Sequence, residues 1–240
     1  MKIIGHRGAK GLAPENTRAA IRKGLRYHVN EIEIDVRVTA DGLTILLHDD
    51  HLKDLAGTRL EVKTHSFNEL RQHKPDLISL PDALAIINRQ VPVLLEVKPG
   101  VNLDPIVQII KQHLQQGWQA KDFCLTSYSQ PILLDLHAQL PDIQKAVIEN
   151  WSGIRAAHRA RQLDTRRLSM LELWLWSGFI SSMKKRGYEI YSFPTKNPVK
   201  ERFLAQIRLA GYTNNPHKIR KWVKSGLAGV ITDYPDRFDK

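Results

Sequence analysis

The sequence predicts an α/β fold built on a parallel sheet with helices packed outside it. Three observations predict it. Short apolar runs alternate with amphipathic helical stretches along the whole chain, which is the pattern of repeated βα units. Several of those runs are almost continuously apolar, as parallel strands covered on both faces are. The chain has 240 residues, a size that suits one (β/α)8 barrel or one doubly wound domain.

In chain order, the strand candidates are Lys2–Gly5, Ile32–Val38, Leu43–Leu47, Pro92–Val97, Phe123–Tyr128, Ile143–Ile148 and Leu168–Leu173. Tyr188–Phe193, Arg208–Tyr212 and Gly229–Thr232 complete the set. These outnumber the eight of a barrel, so Leu43–Leu47 is read as an extension of the second strand and one of the two late candidates as extra. Helices are expected at Asn16–His28, where Asn16 or Thr17 supplies the cap, and at Pro105–Gln116, which runs into Gly117. Further helices are expected at Pro131–Gln139, Gly153–Gln162, Gly178–Lys185 and Pro216–Lys224. Residues 51–81 break the rhythm. They are polar, hold a short helix candidate at Ser66–Gln72, and read as a loop insertion after the second strand within a single domain spanning residues 1–240.

Composition narrows the function classes. Apolar residues make up 42% and charged residues 25%, an ordinary globular balance. The single cysteine, Cys124, forms no intrachain disulfide and lies in an apolar run, so it reads as a small buried hydrophobe. No secretory h-region opens the chain. The run Leu171–Ile180 is interrupted by Glu172 and Ser177 and is far shorter than the ~20 residues of a spanning helix. A cytoplasmic protein is the expectation. The net charge of +11 favours anionic partners such as phosphate esters or a membrane surface. No DNA-binding helix signature or RNA-binding aromatic motif accompanies it, so nucleic acid is not expected.

Chemistry-bearing residues gather at strand ends, where barrels place catalysis. His6-Arg7-Gly8 ends the first strand. On the second, Glu31, Glu33, Asp35 and Arg37 alternate with aliphatic residues, so all four share one face; in a barrel the aliphatic face meets the helices and the acids point inward. The apolar run Val93–Val97 carries Glu96 and is followed by Lys98, charges that are costly to bury unless paired or metal-bound. Carboxylates at i and i+2 plus one from a neighbouring strand make an oxygen site suited to Mg²⁺ or Ca²⁺ rather than to a Cys/His zinc site. His48 ends the run Ile45–Leu47, so two histidines lie at strand ends beside carboxylates, an arrangement that favours acid–base catalysis.

The ordered blocks His6-Arg7-Gly8, Pro14-Glu15-Asn16-Thr17, Glu33-Ile34-Asp35-Val36-Arg37, Asp41-Gly42, His48-Asp49, Glu96-Val97-Lys98 and Gly229-Val230-Ile231-Thr232-Asp233-Tyr234-Pro235-Asp236 resemble the signature of the glycerophosphodiester phosphodiesterase family. The resemblance is dense over residues 2–50, clear at 92–98 and 213–238, and weak between 120 and 210. It implies a (β/α)8 TIM barrel and hydrolysis of a glycerophosphodiester to glycerol 3-phosphate and an alcohol. It implies one divalent cation, Ca²⁺ or Mg²⁺ with Mn²⁺ as a substitute, held by Glu33, Asp35 and Glu96. His6 and His48 become the acid–base pair; the sequence does not say which is base, and the assignment preferred has His6 as base and His48 as leaving-group acid. Arg7 and Lys98 contact the phosphate, and Glu15 supports them from behind. Each role suits the chemistry, because attack on a phosphodiester anion builds negative charge that cations stabilise and arginine grips phosphate bidentately.

Two departures bear on substrate choice. Asp54 stands where the family often has arginine, in a loop over the site that is short for the family. The family's late aromatic–Thr–x–Asn block fits near Asn214-Asn215-Pro216, which makes Tyr212 a candidate substrate-lining aromatic. Gly187–Tyr191 resembles the approach to the same strand, and an insertion around residues 192–209 reconciles the two. Trp174-Leu175-Trp176-Ser177-Gly178-Phe179 reads either as core packing or as an apolar rim that receives a lipid chain. The rim reading allows a phospholipase D-like activity on lysophospholipids or sphingolipids, with peripheral contact to lysolipid or membrane. A silent anion-binding barrel is the remaining alternative, although none of the expected functional residues is missing. The sequence does not set the oligomeric state.

Overall fold

The computed structural model describes residues 1–53, 56–194 and 212–238, and all structural statements concern these. The parallel strands are β1 (Lys2–Gly5), β2 (Glu31–Val38), β6 (Val93–Val97), β7 (Phe123–Ser127), β8 (Gln144–Glu149), β9 (Arg167–Leu171), β10 (Glu189–Phe193) and β11 (Gly229–Thr232). They hydrogen-bond in the order β1-β11-β10-β9-β8-β7-β6-β2, and β1 pairs back onto β2. The sheet is therefore closed, and the expected (β/α)8 barrel is the observed fold.

Helices α1 (Arg18–Arg26), α2 (Phe67–His73), α3 (Leu80–Ile87), α4 (Asp104–Gln115), α5 (Gln130–Gln139), α6 (Gly153–Arg161), α7 (Ser177–Lys185) and α8 (Pro216–Lys224) lie among the strands in chain order. Caps locate their starts. The Thr17 side chain accepts from Ala20 N–H to begin α1, and Asn215 accepts from His217 and Lys218 to begin α8. Such caps contribute about 1 kcal/mol each. Among the described residues, no helix is long and apolar enough to cross a membrane.

The alternation on β2 partitions the molecule as expected. Ile32, Ile34 and Val36 pack outward with Ile21 of α1 and Leu80, Leu84 and Ile87 of α3. Ile4, Leu94, Ala146, Ile148, Tyr191, Phe193 and Ile231 fill the barrel interior, and the charged residues of β2 and β6 share that interior above and below them.

Two expectations need correction, and one left open is decided. Leu43–Leu47 does not prolong β2. Its core, β3 (Thr44–Leu46), folds back antiparallel on the end of β2, with Val36 opposite Leu46. Of the two late candidates, Tyr188–Phe193 supplies the seventh strand. Residues 208–211 lie outside the described set, and Tyr212 is not in a strand. The insertion after β3 is more ordered than a loop: β4 (His51–Lys53) and β5 (Arg59–Glu61) form a hairpin ahead of α2. Helix α3 was not anticipated at all.

Candidate active site

The carboxyl ends of β1, β2 and β6 bring the charged residues together. Gly8, at φ +87°, lets the chain turn after His6-Arg7; an added Cβ there would stand 2.5 Å from the backbone of Ala20 in α1. Only glycine combines that conformation with that approach. Arg7 is held at φ 51°, an uncommon conformation for a non-glycine residue. Its N–H donates to Glu33 Oε2 at 2.8 Å, and its Nη1 donates to both Glu15 oxygens at 2.7 Å. Its Nε lies 3.2 Å from Asp35 Oδ2. Burial works against the guanidinium charge, but Asp35, Glu15 and Glu33 outweigh it and raise the Arg7 pKa.

Asp35 is clamped on both sides. Asn16 Nδ2 donates to its Oδ2 at 2.8 Å, and the Asp35 N–H donates to Asn16 Oδ1 at 3.1 Å. Lys98 Nζ lies 2.5 Å from Asp35 Oδ1 and also donates to Glu96. Burial alone would raise the Asp35 pKa, yet Lys98 and Arg7 carry it below the usual carboxylate range. The same two carboxylates keep Lys98 charged against its own burial. Glu33 behaves oppositely. Burial, then the charges of Asp35 and Glu96, push it well above its ordinary value. Oxygens of Glu33, Asp35 and Glu96 all lie within 4.8 Å of one another. These three buried carboxylates face two fixed cations, Arg7 and Lys98. The charge deficit shows up in the raised Glu33, and a hard divalent cation is what such an oxygen set accommodates.

The two histidines flank this cluster. His6 Nδ1 lies 2.6 Å from Asp233 Oδ1. Burial pushes the imidazole down to about 4 despite Asp233, while the hydrogen bond from His6, together with the charges of Lys10 and Arg7, holds the Asp233 carboxyl low against burial. The pair is therefore a neutral imidazole donating Nδ1–H to a carboxylate, which leaves the Nε2 lone pair free to accept. Asp233 is braced in turn, its N–H donating to Asn214 Oδ1 at 3.0 Å. His48 Nδ1 lies 2.7 Å from Asp49 Oδ1. The His48 carbonyl accepts from Arg37 Nε and Nη2 at 3.1 and 2.9 Å.

His6, Arg7, Glu33, His48 and Glu96 line one pocket, walled by Leu94, Thr126, Tyr128, Ile148, Ser169, Phe193, Pro194 and Ile231. Asp35 and Lys98 lie within the same charged cluster, and Glu15 supports Arg7. Tyr212 is elsewhere: it stacks on Trp222 of α8 at 4.3 Å, because its ring completes the outer core, so aromatic lining falls to Tyr128 and Phe193 instead. Asp54 lies outside the described residues. Sequence reasoning did not assign Asn16 and Asp233 to the site. Both stand inside quoted blocks, Asn16 read only as a helix cap and Asp233 left without a role.

The family model of the glycerophosphoryl diester phosphodiesterase family matches residues 6–237. A glycerophosphodiester phosphodiesterase of Bacillus altitudinis is 25% identical, covering 98% of this chain and 96% of its own. An Oleispira antarctica phosphodiesterase, solved with the product sn-glycerol-3-phosphate, superposes with a TM-score of 0.77 at 22% identity over 100% of this chain and 97% of that one. A glycerophosphodiester phosphodiesterase from Thermotoga maritima superposes at 0.71 with 20% identity, covering 99% and 96%. At these identities the solved structures speak to the fold.

Proposed function

The chain belongs to the glycerophosphoryl diester phosphodiesterase family and is a phosphoric diester hydrolase, and from that premise we propose that it cleaves small glycerophosphodiesters to glycerol 3-phosphate and an alcohol. The observation that carries the reading is the convergence of His6, His48, Arg7, Glu33 and Glu96 on one pocket. A divalent cation held by Glu33, Asp35 and Glu96 supplies charge stabilisation at the phosphoryl oxygens when bound. Its identity, Ca²⁺ or Mg²⁺ with Mn²⁺ as a substitute, is set by availability and by oxygen-donor geometry.

The protein's own groups do the rest. Arg7, on the pocket wall, orients the diester anion, and Lys98, buried between Asp35 and Glu96, adds positive charge within the carboxylate cluster. His6, neutral and fixed by Asp233, accepts the proton of the attacking hydroxyl at Nε2. His48, steadied by Asp49 and by the Arg37 fork on its carbonyl, delivers a proton to the departing alkoxide. Each such proton transfer contributes about 10²–10⁴ in rate. The attacking hydroxyl is water or a neighbouring hydroxyl of the glycerol, and the same pair serves either.

The test is turnover of glycerophosphocholine and related diesters with Ca²⁺, Mg²⁺ and Mn²⁺, with a chelator as control. Glu33→Gln and Glu96→Gln are expected to abolish cation binding by calorimetry together with turnover. Full activity in either variant overturns the metal assignment. Full activity in His6→Ala overturns the acid–base one.

A further inference from the structure

The barrel end that holds the pocket also carries a patch of large apolar side chains that the proposed chemistry does not use. Trp151, Ile154, Trp174 and Trp176 are 66%, 82%, 42% and 60% exposed. All four come from the two successive βα connections after β8 and β9, at the barrel end that holds the pocket. They form one surface. Trp151 and Trp174 stand 5.8 Å apart, and Trp176 and Phe179 stand 5.3 Å apart. Phe179 lies so close over Gly153 that a Cβ there would meet its ring at 2.3 Å, which ties the second connection to the first turn of α6. Between the two outward tryptophans, Leu175 turns inward to the core. The run therefore alternates, and the tryptophans are held outward by their neighbour's burial.

The chain links the patch to the pocket wall. Ile148, on the pocket wall, precedes Trp151 by one short turn. Tyr128, another wall residue, hydrogen-bonds Asn150 at 3.3 Å. Phe193 and Pro194 extend the apolar wall on the side of β10.

We propose that this rim docks the pocket end of the barrel on an anionic lipid bilayer. Tryptophan is the side chain favoured at the headgroup boundary, where its ring meets acyl chains and its N–H meets water. An exposed cluster of three tryptophans exceeds the scattered apolar residues of ordinary surfaces. Charge selects the kind of bilayer: the chain carries +11, whereas Arg155 beside Ile154 is already paired with Glu149 at 3.0 Å, so the attraction comes from the net charge of the molecule rather than from one rim cation. Neither contribution suffices alone, since stable peripheral binding needs apolar insertion together with cationic attraction. Docking in this orientation turns the pocket toward the membrane surface, and it stands independently of the reaction proposed above.

The experiment is co-sedimentation of the full chain with vesicles of phosphatidylglycerol and phosphatidylcholine, alongside fluorescence quenching by brominated acyl chains. The wild type is expected to partition onto the phosphatidylglycerol vesicles, bind pure phosphatidylcholine vesicles more weakly, and show quenched tryptophan emission. The triple variant Trp151→Ser, Trp174→Ser, Trp176→Ser is expected to lose about tenfold or more in partitioning. Its circular dichroism and turnover of water-soluble diesters stay unchanged, because none of the three packs in the core or the site. Absent wild-type partitioning, equal partitioning of the triple variant, or equal binding to the two vesicle types overturns the proposal. So does a wild-type dimer in lipid-free buffer that the triple variant abolishes, since the rim's occupant is then a second copy.

Discussion

At the scale of single residues, the site is a set of charges each held by something that is not itself reactive. Glu15 grips Arg7, Asn16 grips Asp35, and Asp233 grips His6. The last contact has the clearest consequence. Asp233 accepts from Nδ1, so it selects the tautomer with a free Nε2 and fixes the ring plane. Asp233→Asn keeps the shape but removes that selection. We expect kcat to fall about 10²-fold or more with KM little changed, and the His6 tautomer to shift in ¹⁵N NMR spectra. An unchanged tautomer with unchanged kcat contradicts the role. Sequence separation explains why this contact was not foreseen. His6 and Asp233 are 227 positions apart and meet only because β1 pairs with β11. Glu33 and Asp35, two positions apart on one strand, were legible from alternation alone.

At the scale of elements, what was readable is what local periodicity encodes. The strand candidates followed from short apolar runs and the inward acids from period-two alternation on β2, and the helix candidate at Ser66–Gln72 is observed as α2, opened by a capping box between Ser66 and Glu69. Helix α3 carries an equally local signal, since Ser79 and Asp82 exchange side-chain and backbone hydrogen bonds in a capping box, with Pro81 in the first turn. It was hidden because Leu80–Ile87 adjoins a polar stretch read wholly as insertion. The β4–β5 hairpin lacked a two-residue turn signature and depends on tertiary context. One element end makes a testable claim about pH. Lys145, nearly fully buried, donates to the Leu140 and Ile143 carbonyls at the end of α5. Burial pushes its pKa down to about 8, with Asp142 opposing. Below pH about 8 the folded and unfolded chains both hold this proton, so the cost of burying the charge is constant. Between about 8 and the ordinary lysine value the unfolded chain binds more protons, so stability rises with pH by at most about 1.4 kcal/mol per unit. The unfolding free energy of the wild type minus that of Lys145→Met is therefore expected to grow from pH 8 to 10 in urea titrations. A flat difference refutes the depressed pKa.

At the scale of the whole molecule, the barrel interior has a charged layer at each end with an apolar layer between. The pocket end carries the carboxylates and Lys98; the opposite end is closed by Arg167 of β9, which bonds Glu31 of β2 bidentately at 3.1 and 2.5 Å across the lumen. Tyr191 lies under the guanidinium at 4.2 Å, and Lys2, half exposed, reaches Glu31 at 2.9 Å. Alternation along β2 revealed that Glu31 points inward, but its partner is 136 positions away and appears only on closure. The pair sits far from the pocket chemistry, so its contribution is to folding. Removing one partner leaves a buried charge without compensation. Glu31→Gln is expected to destabilise by about 3 kcal/mol, while Glu31→Leu combined with Arg167→Met, which removes both charges at similar volume, is expected to recover most of that loss. Denaturant titrations of the single and double variants decide between them. If the double variant is no more stable than Glu31→Gln, an uncompensated buried charge is not what destabilises the single variant. If it recovers while keeping turnover, the floor is a replaceable plug and only the carboxylate end of the barrel is committed to chemistry.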